Sequence, residues 1–174
     1  MPQASDVVLR RIAAGGLCIG AVFGLAGSLV VSPILQASLW AIDGTALVAA
    51  TSLLAVKYLR AGVDLAAAGF LVFATAEAVI LSGTAAGPHG QTPTLAAGTA
   101  LWAVALLMIS APPTFPTWVR MAGALAAGMF TVTAAKLFGG QVLTPMSAPF
   151  PFFAYPILAI TLLGWAWTAL REAT

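Results

Sequence analysis

The chain has 174 residues, of which 61% are hydrophobic and 7% charged, whereas a soluble domain carries about 25% charged residues. So few charges cannot cover a water-facing surface, and a mean hydropathy of +1.02 makes the lipid bilayer the expected solvent for most of this one. Seven basic residues spread along the chain form no patch, so the net charge of +2 does not point to nucleic acid, and no nucleic-acid partner is expected.

The first apolar run is Ile12–Val31, behind Arg10 and Arg11. It exceeds the 7–15 residues usual for the apolar part of a signal peptide, so it is expected to stay as a membrane helix. The only cysteine, Cys18, lies inside it, and Leu17 stands where a lipoprotein signal would want a small residue. One cysteine gives no intrachain disulfide and no thiolate cluster, and Cys18 reads as a small core residue. Gly16, Gly20, Gly24 and Ser28 place a small residue at every fourth position. Such a stripe lets two backbones approach closely where lipid removes the hydrophobic incentive to associate. Its expected partner is another helix of the same chain, with a second copy as the alternative.

Five more runs follow: Ile34–Val56, Leu65–Ser82, Leu95–Ala111, Thr117–Phe138 and Phe150–Leu170. Each is about 17–23 residues, the length that crosses ~30 Å of hydrocarbon at 1.5 Å per residue. Backbone polar groups must be paired in lipid, which requires helices, and the runs lack the alternation of barrel strands. Between the runs lie Ser32-Pro33, the charged Lys57–Asp64 with Gly62, the turn-rich Gly83–Thr94, Pro112–Pro116, and Gly139–Pro149. Pro151 and Pro156 are expected to delay or kink the start of the sixth helix. Gly44 and Gly98 open two similar stretches, GTALVAATSLL and GTALWAVALLM. The match is short, and Ala97 stands where a counterpart of Asp43 would be, so no symmetric site is expected.

Charge sets the orientation. With the N-terminus inside, Arg10, Arg11, Lys57, Arg60, Arg120 and Arg171 all fall on the cytoplasmic side, and the outer connections carry no Lys or Arg. Lys136 alone falls near the outer side, where its long side chain can reach the interface. The expected fold is therefore all-α: a polytopic integral membrane protein, one domain, a six-transmembrane-helix bundle with both termini cytoplasmic. Helices rather than a barrel, with bare loops, point to a bacterial-type cytoplasmic (inner) membrane. Trp118, Trp165 and Trp167 fit an interfacial aromatic belt, while Trp40 lies deeper and is expected to pack against other helices.

Three ionisable residues fall inside the spans: Asp43, Glu77 and Lys136. Such residues are expensive in lipid and usually face the bundle interior with a partner. From the run boundaries, Asp43 lies ~15 Å from the outer face, Glu77 ~7 Å and Lys136 ~4 Å. Glu77 and Lys136 are close enough in depth to form an intramembrane ion pair, a structural one, if their helices are neighbours. Asp43 has no cation at its own depth. Gln36, Trp40 and Asp43 share one helical face and make a weak polar stripe descending from the outside. Two readings of Asp43 stay open: a proton-carrying or cation-binding group, and a hydrogen-bonded packing residue.

No phosphate loop, zinc motif or nucleophile elbow occurs, and a lone His89 supports neither a His-based triad nor paired haem ligands. No enzyme activity, metal or cofactor is expected. The function expected is membrane transport of a proton, ion or small solute with Asp43 at its centre. The alternative is a non-catalytic accessory subunit, whose partners would be other membrane proteins or further copies of the chain.

Overall fold

A computed structural model describes the backbone of residues 4–85, 88–144 and 146–171, with side chains over 6–83, 92–144 and 146–171. It contains six helices: α1 (Ala4–Leu29), α2 (Pro33–Arg60), α3 (Asp64–Ala85), α4 (Pro88–Ser110), α5 (Thr117–Phe138) and α6 (Ala154–Arg171). Each packs on its neighbours in sequence, and α6 returns to α1, so the six close into a ring. The outer wall of this ring is apolar, with Val22, Ile34, Leu59, Met121, Leu125 and Phe138 all exposed. Five helices are long and apolar enough to cross a membrane: α1, α2, α3, α4 and α5. The sixth, α6, has 18 residues and rests on α1 and α5.

Several helix boundaries differ from the expected ones, and α2 runs on to Arg60, past Val56. α1 already begins at Ala4, so Arg10 and Arg11 lie within it. The turn-rich segment Gly83–Thr94 is largely helical, because α3 continues to Ala85 and α4 starts at Pro88, where a first-turn proline costs no helical hydrogen bond. His89 falls in the first turn of α4, outside the described side chains. The sixth run starts at Phe150, and as its prolines predict α6 begins late, at Ala154, since Pro149 and Pro151 supply no amide hydrogen and the residues before Ala154 are held in turns.

Two helix ends share one chemistry. After α2, Gly62 takes φ 71°, Val63 N–H donates to Tyr58 O at 2.9 Å and Gly62 N–H to Leu59 O at 3.1 Å. After α5, Gly140 takes φ 84°, with Gln141 N–H bonded to Lys136 O and Gly140 N–H to Leu137 O, both at 3.0 Å. Only glycine adopts this left-handed position without a Cβ penalty, and the paired bonds satisfy carbonyls that would otherwise be orphaned. α4 ends differently: Arg120 on α5 donates through Nε to Ser110 O at 2.8 Å and through Nη2 to Ala111 O at 2.9 Å. The cation of Arg120 thus faces the negative end of α4.

With this topology Arg10, Arg11, Lys57, Arg60, Arg120 and Arg171 gather at one end of the bundle, here the basic end, and Lys136 lies toward the far end. The half of the ring interior nearest the basic end is filled with aromatic rings. Phe70 stacks on Tyr58 at 5.5 Å and meets Trp165 edge-on at 5.0 Å; Phe73 and Phe115 join the same cluster. Trp165 is 1% exposed, so it is a core residue rather than part of an interfacial belt. Trp118 and Trp167 do lie at the surface, 6.2 Å apart, with the Arg171 guanidinium over the Trp167 ring at 3.9 Å.

Candidate functional site

The far half of the bundle is built from small residues and polar groups. The stripe on α1 packs against α2 of the same chain. A Cβ at Gly16 would stand 2.8 Å from that of Ala50, and one at Gly24 would stand 2.8 Å from Asp43 Oδ2. This contact distance is reachable only without side chains on α1, and it lets α2 present polar groups directly to the α1 backbone. Gln36 Nε2 donates to Gly27 O at 3.0 Å and Trp40 Nε1 to Gly24 O at 3.4 Å. Ser28 Oγ donates to Gly24 O at 3.1 Å within its own helix. Gln36, Trp40 and Asp43 therefore all turn to α1, each half-buried.

Asp43 comes next along that face and differs from the two residues above it. Its carboxylate points at Gly20 and Gly24, but Oδ1 is buried with no hydrogen-bond partner among the described residues. Beside it a cavity of about 20 Å³ opens in the ring interior, lined by Gly20, Gly24, Asp43, Glu77, Trp102 and Tyr155, with Leu47 and Leu158 among its apolar walls. A void of that size holds a water molecule or a bare ion but no organic solute.

Glu77 reaches the cavity from α3. It is 3% exposed, and its Oε1 accepts a hydrogen bond from Trp102 Nε1 at 3.0 Å. Trp102 is itself clamped by rings: Phe130 at 5.0 Å, Tyr155 at 5.9 Å and Phe73 at 6.2 Å. The indole N–H of a buried Trp needs an acceptor, and Glu77 supplies it. Tyr155 closes the cavity from α6 and also meets Phe130 edge-on at 6.0 Å.

The expected Glu77–Lys136 ion pair is absent from the described residues. α4 stands between α3 and α5 in the ring, and Lys136 sits half-buried toward the far end while Glu77 faces Trp102. The structure instead brings Glu77 and Asp43 to the lining of one cavity. A third run ending at Ser82 sets the two ~8 Å apart in depth. Its extension to Ala85 puts Glu77 ~12 Å from the far end of α3, close to the ~15 Å of Asp43 from Pro33.

Sequence reasoning passed over Trp102 and Tyr155. Trp102 carried a signal: it sits ~10 Å in from the start of its apolar run at Leu95, as deep as Trp40 from Pro33, so its N–H needs a buried partner. Tyr155 carried none. Counted from the basic end, Tyr155 lies ~24 Å along α6 from Arg171, and Glu77 ~20 Å along α3 from Asp64. The late start of α6 brings the two to similar levels.

Among the described residues no basic side chain lines the cavity. Two carboxyl groups removed from water without a counter-charge are costly, so neutralisation must come from protons or from a cation that enters. Carboxylate oxygens and a tyrosine hydroxyl are hard oxygen donors, suited to such a guest. No family model matches the chain, and no curated protein or solved structure matches it.

Proposed function

We propose that the chain is a multi-pass protein of the cytoplasmic membrane, with six crossings and both termini inside. In this reading it binds and passes a proton or a small cation through the Asp43–Glu77 cavity. The observation that carries the reading is a pair of carboxyl groups on α2 and α3 facing one water-sized cavity with no basic side chain in its described lining. The cavity volume favours a proton, a water or a bare ion over an organic solute. The gathering of six basic residues at one end supports the orientation.

The route divides into two parts. From the outside, the α1–α2 face descends past Gln36 and Trp40 to Asp43. Toward the cytoplasm, the Phe70–Phe73–Trp165 cluster seals the interior and acts as the barrier. Passage through the bundle requires these rings to move, and a bundle that kept them fixed would bind on one side only.

Flux into proteoliposomes, read with an internal pH dye and with cation-loaded vesicles, tests this. Removing groups that neutralise or coordinate the passing ion is expected to cost at least about tenfold in rate, the order seen for positioned polar groups at functional sites. Asp43→Asn and Glu77→Gln should each show that loss, and the double variant should not be additive. No flux from the native chain, or unchanged flux in both single variants, sinks the proposal and moves the chain to the accessory-subunit reading.

A further inference from the structure

A second cavity lies at the basic end, away from the carboxyl pair. It has a volume of about 330 Å³ and is lined by Asp6, Leu9, Arg10, Lys57, Tyr58 and Arg60, with Ala61 and Val63 completing it. The walls are the first turns of α1 and the last turn of α2 with the glycine turn that follows. Among the described residues the lining holds three cationic side chains and one acid, around a void at the lower limit of ligand-site volumes.

Two features separate it from ordinary solvated charges. Lys57 and Arg60 are three residues apart, on one face of α2, and Arg10 meets them from α1. Lys57 is also held in place, with Nζ donating to the Tyr58 hydroxyl at 3.2 Å and lying 4.3 Å from the Tyr58 ring centroid. Beside this polar bowl the surface is apolar: Val8, Ile12 and Leu59 are all exposed on the flanking helix faces. Cations in a bowl next to a greasy wall match a phosphate headgroup with its acyl chains.

We propose that this cavity binds a phosphate group, held by Arg10, Lys57 and Arg60, and that an anionic phospholipid at the membrane interface is its source. Free phosphate offers the same oxygens, without the acyl chains that Val8, Ile12 and Leu59 would cover. Asp6 opposes the anion and sets its affinity below what the three cations alone would give.

Native mass spectrometry of the full chain, released from mixed micelles of phosphatidylglycerol and phosphatidylcholine, tests the site. Phosphatidylglycerol should be retained over phosphatidylcholine, and each removed cation should cost about fivefold. The Lys57→Gln/Arg60→Gln double variant should lose the preference, and Asp6→Asn, which removes the opposing charge, should strengthen it. A second arm adds millimolar inorganic phosphate. Phosphate that leaves the lipid in place supports the lipid source. Phosphate that displaces it supports the same site with a soluble source. Equal retention of both lipids by the native chain overturns the proposal. So does a preference that survives in the double variant, or one that weakens in Asp6→Asn. None of these readouts depends on flux through the Asp43–Glu77 cavity.

Discussion

The two halves of the bundle interior solve the packing problem in opposite ways. Near the basic end, bulk fills the ring: Tyr58, Phe70, Phe73, Phe115 and Trp165 touch one another and leave little beyond side-chain contact. At the far end, absence of bulk does the work: glycines on α1 admit α2, and polar groups of α2 bond to the α1 backbone. The aromatic half holds the fold by dispersion and close packing. The glycine half tolerates polar side chains because their partners are within reach, and at Asp43 it leaves one atom without a partner among the described residues. The aromatic cluster and the carboxyl pair are thereby separated along the bundle axis.

That separation can be broken experimentally, and the largest effect belongs to the aromatic half. Trp165→Ala empties the centre of the cluster and should cost about 3–5 kcal/mol, seen as a lowered unfolding midpoint in detergent. A smaller loss would show that the far half carries the fold. Next, Trp102→Phe keeps the ring but leaves buried Glu77 without its donor. It should cost about 1–3 kcal/mol, while Glu77→Gln, whose amide oxygen still accepts, should cost less in the same melt.

At Gly24 the glycine half can be tested by itself. Gly24→Ala drives a methyl toward Asp43 Oδ2 and should cost about 1–3 kcal/mol. Adding Asp43→Ala should recover part of this, a coupling of at least about 0.5 kcal/mol in a double-mutant cycle. Gln36→Ala removes one interhelical hydrogen bond and should cost about 0.6 kcal/mol, the mean for such bonds in membrane proteins. Smallest of all, Lys136→Gln should change stability by less than about 0.5 kcal/mol. A larger loss there would revive an ion pair with Glu77.

How far the sequence reached follows the same division. The α1 stripe was legible because its spacing is local: every fourth residue of a helix shares a face, whatever the tertiary structure. The common face of Gln36, Trp40 and Asp43 was legible for the same reason. The Glu77–Lys136 pair failed because depth alone says nothing about which helices are neighbours, and the ring places α4 between them. Trp165 failed similarly. Its distance from the chain end suited an interfacial belt, but its rotational position on α6 points it at Phe70.

Sequence by itself determined six apolar helical runs of membrane-spanning length, the small-residue stripe and the acids within those runs. Composition and period are properties of segments, and segments in lipid have one way to satisfy their backbones. Only the tertiary structure decided that Asp43 and Glu77 share a cavity, with Trp102 and Tyr155 from two further helices. Five helices line that cavity, α1, α2, α3, α4 and α6, and its level is set by where α3 ends and α6 begins. The prolines before α6 foretell a late start, but which level that start meets on α3 depends on long-range packing that no local pattern reveals.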